Sequence, residues 1–180
     1  MKLTLKNTRI IAVIGIFFIS FLSHFAYGLL PNPLFAITFP VNESIWEHMK
    51  IPFTSSIIYG IIDYYILNKN NIKYNNYSFQ LWFTSIIIIP IYLLVYLPIY
   101  QLFGENLLIS ILLLFIVNII KEIISYYILK LPQLKIVNKL LIPIIIITYL
   151  IFAYLTYFPP NNYLFYDTQN NHYGIKNIDY

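Results

Sequence analysis

The residues best suited to chemistry lie in one short polar segment of an otherwise apolar chain. Residues 42–50 read Asn-Glu-Ser-Ile-Trp-Glu-His-Met-Lys and contain two carboxylates, an imidazole and an ammonium group. Carboxylate and imidazole side chains ligate divalent metals such as zinc, and a bound metal can activate a water for hydrolysis. Without a metal, the same groups could form a proton relay or a polar substrate cleft.

The spacing of these residues favours a shared site if the segment is helical. At 3.6 residues per turn, Glu43 and Glu47 lie on one face of a helix. His48 follows on the adjacent stripe, and His24 is expected at a similar depth in the preceding apolar stretch. The candidate catalytic residues are Glu43, Glu47, His48 and Asp167, and the candidate metal ligands are His24, Glu43, Glu47 and His48.

Helix initiation is the competing interpretation of the same segment. Asn42, which follows Pro40, is a good N-cap, and Ser44 with Glu47 fits a capping box. Glu47 and Lys50 are also close enough in sequence to form an ion pair. The chain contains no His-Glu-x-x-His motif or other known hydrolase spacing, so the sequence leaves capping and chemistry both open.

The C-terminal segment is a second polar region. Pro159 and Pro160 end the last apolar stretch, and residues 164–175 are typical of a short hairpin or a turn-rich lid. We expect its aromatic side chains to pack on the outer mouth of a helical bundle. That packing would bring Asp167 towards Glu47.

A third set of polar residues lies inside the apolar stretches. Charges are costly in a bilayer, so such groups are either structural or functional. We expect Lys121 or Glu122 to hold Asp63 across helices, with an ion or proton path as the alternative. The residues predicted to act structurally or as a relay are Asn42, Asp63, Asn118, Lys121 and Glu122.

The composition identifies the elements that position these residues. Hydrophobic residues make up 59% and charged residues 10% of the 180-residue chain, which excludes an ordinary water-soluble domain. The absence of cysteine excludes disulfides and thiolate metal sites. Because a bilayer core of ~30 Å needs about 20 apolar residues per helix, we predict an all-α, single polytopic membrane domain with about five transmembrane helices. The predicted spans are residues 10–30, 42–67, 79–100, 107–129 and 140–158, followed by an extracytoplasmic tail over 159–180.

The basic residues predict the orientation of this bundle. Most of them precede the first span or lie in the loops after the second and fourth spans: Lys2, Lys6, Arg9, Lys69, Lys73, Lys130, Lys135 and Lys139. The positive-inside rule then places the N-terminus inside and the C-terminus outside. All three histidines and Glu105 fall on the outer side. We expect the protein to lie in a bacterial plasma membrane and to have no nucleic acid partner. Whether it forms a homo-oligomer or binds a second membrane protein is left open by the sequence.

The polar segment also resembles that of a known family. The chain resembles an uncharacterised family of small bacterial integral membrane proteins, a domain-of-unknown-function family. The similar segments are residues 41–50, the pair His24-Phe25 and three parts of the ending: Tyr157-Phe158-Pro159-Pro160, Leu164-Phe165-Tyr166-Asp167 and Tyr173-Gly174-Ile175. The resemblance covers nearly the whole chain. It implies a shared fold and site but carries no activity.

Three classes of function therefore remain open. The first is a non-enzymatic membrane protein that binds or permeates a small polar solute or ion; because five spans are few for a monomeric transporter, permeation would need an oligomer. The second is a metal-dependent membrane hydrolase or transferase acting on a lipid or envelope substrate. The third is a membrane scaffold.

Overall fold

The fold consists of helices and one small hairpin. The computed structural model describes residues 3–104 and 106–175, so Lys2, Glu105 and residues 176–180 of the predicted tail lie outside the description. The helices are α1 (Leu5–Leu29), α2 (Pro33–Thr38), α3 (Ile45–His48), α4 (Lys50–Lys69), α5 (Tyr77–Phe103), α6 (Leu107–Ile128), α7 (Lys135–Asn138) and α8 (Leu141–Tyr157). The strands β1 (Tyr166–Asp167) and β2 (His172–Tyr173) pair antiparallel.

The helices agree with the class that the composition predicts. Among the described residues, three helices are long and apolar enough to cross a membrane: α1, α5 and α6. The chain is therefore all-helical in its main body and consistent with a membrane protein. Helix α4 is long enough but carries Asp63 in its interior, and α8 has 17 residues. The five-span count thus remains a prediction.

Polar side chains start several of these helices. Thr4, Asn32 and Asn106 each accept a hydrogen bond from a backbone N–H in the first turn of α1, α2 and α6. Gly104, at φ +70°, ends α5 in a backbone conformation that favours glycine. The predicted second span is divided at Met49 into α3 and α4.

The long helices pack around a small polar and apolar interior. Helix α1 lies against α4 and α6, and α5 lies against the same two helices. Ala12, Ile16 and Tyr59 form a buried cluster between α1 and α4. A Cβ atom at Gly15 would lie 2.2 Å from a ring carbon of Tyr59, so glycine permits this close approach of the helices.

A buried ion network joins α1, α4 and α6. Arg9 forms an ion pair with Asp63 and a second, at 3.1 Å, with Glu122. Glu122 also accepts a hydrogen bond from Lys121 Nζ at 2.6 Å. The predicted partnership of Asp63 with Lys121 or Glu122 is therefore wrong. Arg9, a residue of the predicted cytoplasmic flank, lies within α1 and bonds both carboxylates. Within the described residues, the buried Asn118 amide on the same face of α6 makes no hydrogen bond.

The two ends of the bundle differ in composition. At one end, the turn before α5 meets the segment after α6, where the Asn76 side chain bonds the backbone of Pro132 and Leu134. At the other end, the C-terminal hairpin packs on α3, and the backbone N–H of Trp46 donates to the backbone oxygen of Leu164 at 2.9 Å. Phe165 is buried 5.2 Å from the Trp46 ring. The predicted hairpin is thus present and docked on the bundle.

Candidate metal centre and pocket

Three metal-ligating side chains converge at the end of the bundle that carries the hairpin. His24 lies near the C-terminal end of α1, Glu43 lies in the loop before α3, and His48 is the last residue of α3. Ser44 starts α3 by accepting a hydrogen bond from Glu47 N–H, which confirms half of the predicted capping box. The helix start therefore positions His48 one turn after the loop that carries Glu43.

The distances between the three ligand atoms are close to those of a tetrahedral zinc site. His48 Nε2 lies 3.3 Å from Glu43 Oε2 and 3.3 Å from His24 Nε2, and His24 Nε2 lies 3.7 Å from Glu43 Oε2. With metal–ligand bonds of about 2.0–2.1 Å, the edges of a tetrahedron measure about 3.3–3.4 Å. Two of the three edges agree, and the third exceeds that range by a few tenths of an ångström.

The hydrogen bond at the far side of His48 sets its tautomer. His48 Nδ1 lies 2.9 Å from Ser44 O, and a carbonyl oxygen can only accept, so Nδ1 carries a proton. In the neutral ring the lone pair is then on Nε2, the atom that faces His24 and Glu43. A backbone carbonyl on one imidazole nitrogen commonly orients the other nitrogen toward a metal.

Glu43 supplies the negative charge of the cluster. Without a bound ion, a proton on His48 Nε2 can be donated to Glu43, and this hydrogen bond lowers the pKa of Glu43 more than burial raises it. The carboxylate is therefore ionised at neutral pH. Because His24 Nε2, His48 Nε2 and Glu43 Oε2 can each present a lone pair and lie within 3.7 Å of one another, the cluster needs either such a proton or a cation between them.

A pocket of about 390 Å³ opens beside the cluster. His24 and Glu43 lie on its wall together with Asp167 and His172 of the hairpin. His172 Nε2 lies 3.6 Å from Asp167 Oδ2. The three side chains of the cluster are each 28–30% exposed, so a bound ion would be accessible to a small molecule.

Asp167 connects the hairpin by a hydrogen bond to the loop that contains Glu43. Asp167 Oδ2 accepts from Glu43 N–H at 3.2 Å, and Oδ1 accepts from the backbone N–H groups of Gln169 and Asn170. Burial raises the pKa of Asp167, but the hydrogen bonds from Asn170, Glu43 and Gln169 outweigh it, so the net pKa is lowered. This places Asp167 beside Glu43, within the predicted outer site.

Glu47 lies in a separate, buried network. Its carboxylate accepts from Lys50 Nζ at 2.6 Å, from Thr156 Oγ1 at 2.7 Å and from Val41 N–H at 3.0 Å. The predicted Glu47–Lys50 ion pair is thus present. The shared face expected for Glu43 and Glu47 is not formed, because Glu43 lies in the loop before α3 begins. The side chain of Glu47 is 97% buried and bonds Lys50, Thr156 and Val41. It is therefore distinct from the partly exposed cluster of His24, Glu43 and His48.

Asn42 has a different local role from the one predicted. The N-cap of α3 is Ser44, and Asn42 Oδ1 accepts from Ser44 N–H at 2.9 Å. Its amide nitrogen donates to Gly174 O at 2.8 Å. Asn42 therefore joins the loop before α3 to the C-terminal hairpin.

Comparison with known proteins identifies the family. Residues 2–175 match a family of unknown function, DUF6512. The chain belongs to this family. No curated protein matches the chain. No solved structure matches it either.

In this DUF6512 protein, three residues that matter to the polar networks were not in the predicted sites. Arg9 precedes the predicted first span, and no sequence signal distinguishes it from an ordinary flanking charge. Thr156 stands out as a hydroxyl near the end of an apolar stretch, which is a weak signal for a buried partner. His172 lies five residues after Asp167, and a hairpin prediction over that interval places the two side chains near each other.

Proposed function

We propose that this protein binds a divalent metal ion of the zinc type at an outward-facing site formed by His24, Glu43 and His48. The spacing of the three ligand atoms, at 3.3, 3.3 and 3.7 Å, carries the proposal. Two imidazoles and one carboxylate form a common zinc ligand set, and they leave a fourth position for water or a solute. The adjoining pocket supports binding of a small polar solute next to the ion.

We further propose that the site lies at the surface of a lipid bilayer. Five helices, α1, α3 with α4, α5, α6 and α8, would cross the plasma membrane with the N-terminus inside and the C-terminus outside. The support is the positive-inside pattern, since the basic loops lie at one end of the bundle and the metal cluster at the other. The cluster would then face the outer medium.

Metal content tests the proposed site. Protein purified in detergent, stripped with a chelator and reloaded with zinc should retain about one ion per chain after buffer exchange. His48→Ala and Glu43→Gln should each lose this ion. His172→Ala removes an imidazole from the same pocket without touching the three ligands, so it should retain the ion. Equal zinc retention by wild type, H48A and E43Q would overturn the proposal.

A second candidate is a metal-dependent membrane hydrolase. The observation that favours it is the pair Asp167–His172, which lines the same pocket as the three ligands. A zinc-type ion would supply a water of lowered pKa as the nucleophile. His172, whose Nε2 lies 3.6 Å from Asp167 Oδ2, is the group that could donate a proton to a leaving group.

Hydrolysis of soluble reporter substrates would distinguish the two candidates. The zinc-loaded protein is assayed with phenyl butyrate and phenyl phosphate, whose phenol leaving group has a pKa of about 10 and benefits from a proton donor. A hydrolase should release phenol in a zinc-dependent reaction that falls about 100-fold or more in H172A while the zinc content is unchanged. Turnover that is equal in H172A and wild type would exclude His172 as the acid, and the absence of zinc-dependent turnover would leave solute binding as the function.

A further inference from the structure

The pocket beside the metal cluster is lined by both apolar and polar side chains. Phe25 and Leu29 of α1 are called the apolar wall here. Glu43, Asp167 and His172, which come from the loop before α3 and from the hairpin, are called the polar wall. A pocket with both kinds of lining is complementary to a molecule that has a polar head and an apolar chain.

The apolar wall continues along the lipid-facing surface of α1. Phe18, Leu22, Phe25 and Leu29 are spaced four, three and four residues apart, so they form one stripe on a helix. All four side chains are 61–78% exposed. Because α1 is long and apolar enough to span a membrane, this stripe would face acyl chains and end at the pocket.

The polar wall has the charge to hold an anionic head once a divalent ion is bound. Glu43 and Asp167 contribute two negative charges, which a divalent ion balances. An oxyanion could then occupy the fourth coordination position, with His172 as a nearby hydrogen-bond donor. In the absence of the ion, the two carboxylates would repel an anion.

We propose that the pocket binds an amphiphile with a phosphate-type head, which enters sideways from the outer leaflet with its chain along Phe25 and Leu29. This inference rests on the proposed metal site and names its ligand class. A soluble phosphate compound would make the same head-group contacts but would not contact the apolar stripe. Contacts between the acyl chain and the stripe therefore distinguish an amphiphile from a soluble phosphate.

The test uses the protein loaded with cobalt(II) in nanodiscs of the phosphate-free lipid digalactosyldiacylglycerol, because the visible absorption of cobalt(II) reports the ligands of a tetrahedral site. Titration with dodecyl phosphate should shift the cobalt bands, whereas dodecyltrimethylammonium should leave them unchanged. Inorganic phosphate at the same total concentration should give little or no shift. Dodecyl phosphate should not bind the metal-free protein.

A matched pair of variants separates a chain contact from simple partitioning into the bilayer. Leu29→Gln should weaken dodecyl phosphate binding by about tenfold, since it removes apolar contact with the chain. Leu102→Gln alters an equally exposed leucine on α5, at the same end of the bundle but away from the pocket, and should have no effect.

Each contrary result has a distinct meaning. Absence of cobalt bands would overturn the metal site and this inference with it. Normal bands that respond equally to inorganic phosphate and dodecyl phosphate would retain the metal site and overturn the amphiphile. Equal binding by L29Q and L102Q would also overturn the amphiphile, because the chain would then not lie against α1.

Discussion

Glu43 and Glu47 illustrate how environment separates two identical side chains four residues apart. Glu47 is compensated by the Lys50 ammonium, the Thr156 hydroxyl and a backbone N–H group, so its charge is balanced inside the protein. Glu43 instead faces two imidazoles at the edge of an open pocket. A carboxylate whose hydrogen bonds are complete has a structural role, whereas an accessible one beside two histidines can bind a ligand.

Asp167 gives a prediction at the same scale. Asp167→Asn should lower the stability of the protein by about 1–3 kcal/mol at pH 7, because one of the acceptor oxygens of the hairpin is replaced by an NH₂ group. The folded-state pKa of Asp167 is lowered, so its stabilising contribution is present above the unfolded pKa of about 3.9. That contribution is lost as the pH falls through the folded-state pKa.

Thermal unfolding in detergent at pH 7, 5 and 3 measures this difference. The gap in Tm between wild type and D167N should be constant from pH 7 to 5 and shrink towards pH 3. Asn161→Ala, a change at an exposed position before the hairpin, is the control and should not alter Tm at any of these pH values. A gap that is unchanged at pH 3 would contradict an ionised Asp167 as its source.

At the scale of elements, ionic side chains fix how α1, α4 and α6 pack. The network contains two cations, Arg9 and Lys121, and two anions, Asp63 and Glu122. Its net charge is therefore zero. Each charge is buried, so loss of one partner leaves an unbalanced charge among apolar helices.

This balance predicts a non-additive mutant pair. Asp63→Leu leaves a net charge of +1 and Arg9→Leu leaves −1, so each should destabilise the protein by about 3–5 kcal/mol. The double variant leaves Glu122 paired with Lys121 and should lose less stability than the sum of the two single variants. Thermal unfolding in detergent measures all three.

Lys73→Leu serves as the control, since Lys73 is exposed and its removal should cost less than about 0.5 kcal/mol. Strictly additive losses in the double variant would show that Arg9 and Asp63 do not stabilise the bundle as a pair.

Across the whole molecule, the two ends of the bundle carry different charges. The basic side chains of α7 and of the turn after α4 lie at one end. The histidines and Asp167 lie at the other. Arg9 and His24 are 15 positions apart on α1, which corresponds to about 22 Å of helix. The ion network and the pocket therefore lie near opposite faces of the proposed membrane.

This separation predicts the labelling of single cysteines in intact cells. Ile136→Cys, on the exposed surface of α7, should be protected from an impermeant thiol reagent, because α7 should face the cytoplasm. Asn161→Cys, before the hairpin, should react. The natural chain has no cysteine, so there is no background. Labelling of I136C with protection of N161C would reverse the proposed orientation, and both should react once the membrane is permeabilised.

The sequence by itself determined the class of the protein and its long helices, but not the short helices α2 and α7 or the break at Met49. Apolar runs of about 20 residues identify helices, because helix length and the hydrophobic effect depend on local composition. The helices α5, α6 and α8 begin and end within about three residues of the predicted spans. The hairpin after Pro160 also followed from residue types. The sequence grouped His24, Glu43, Glu47 and His48 as candidate ligands, and three of these four side chains lie together in the structure.

Apart from the local Glu47–Lys50 ion pair, which the sequence predicts, only the tertiary structure decided which charged groups contact one another. Asp63 pairs with Arg9 rather than with Lys121, and Glu47 lies apart from Glu43. Helical periodicity assigns a side chain to a face, but its partner depends on how that face packs against segments far away in sequence. Lys50 and Thr156, 106 positions apart, meet only because α8 packs near the start of α4. A buried charge also bonds whichever distant group the packing brings within about 3 Å, and no local pattern encodes that long-range choice.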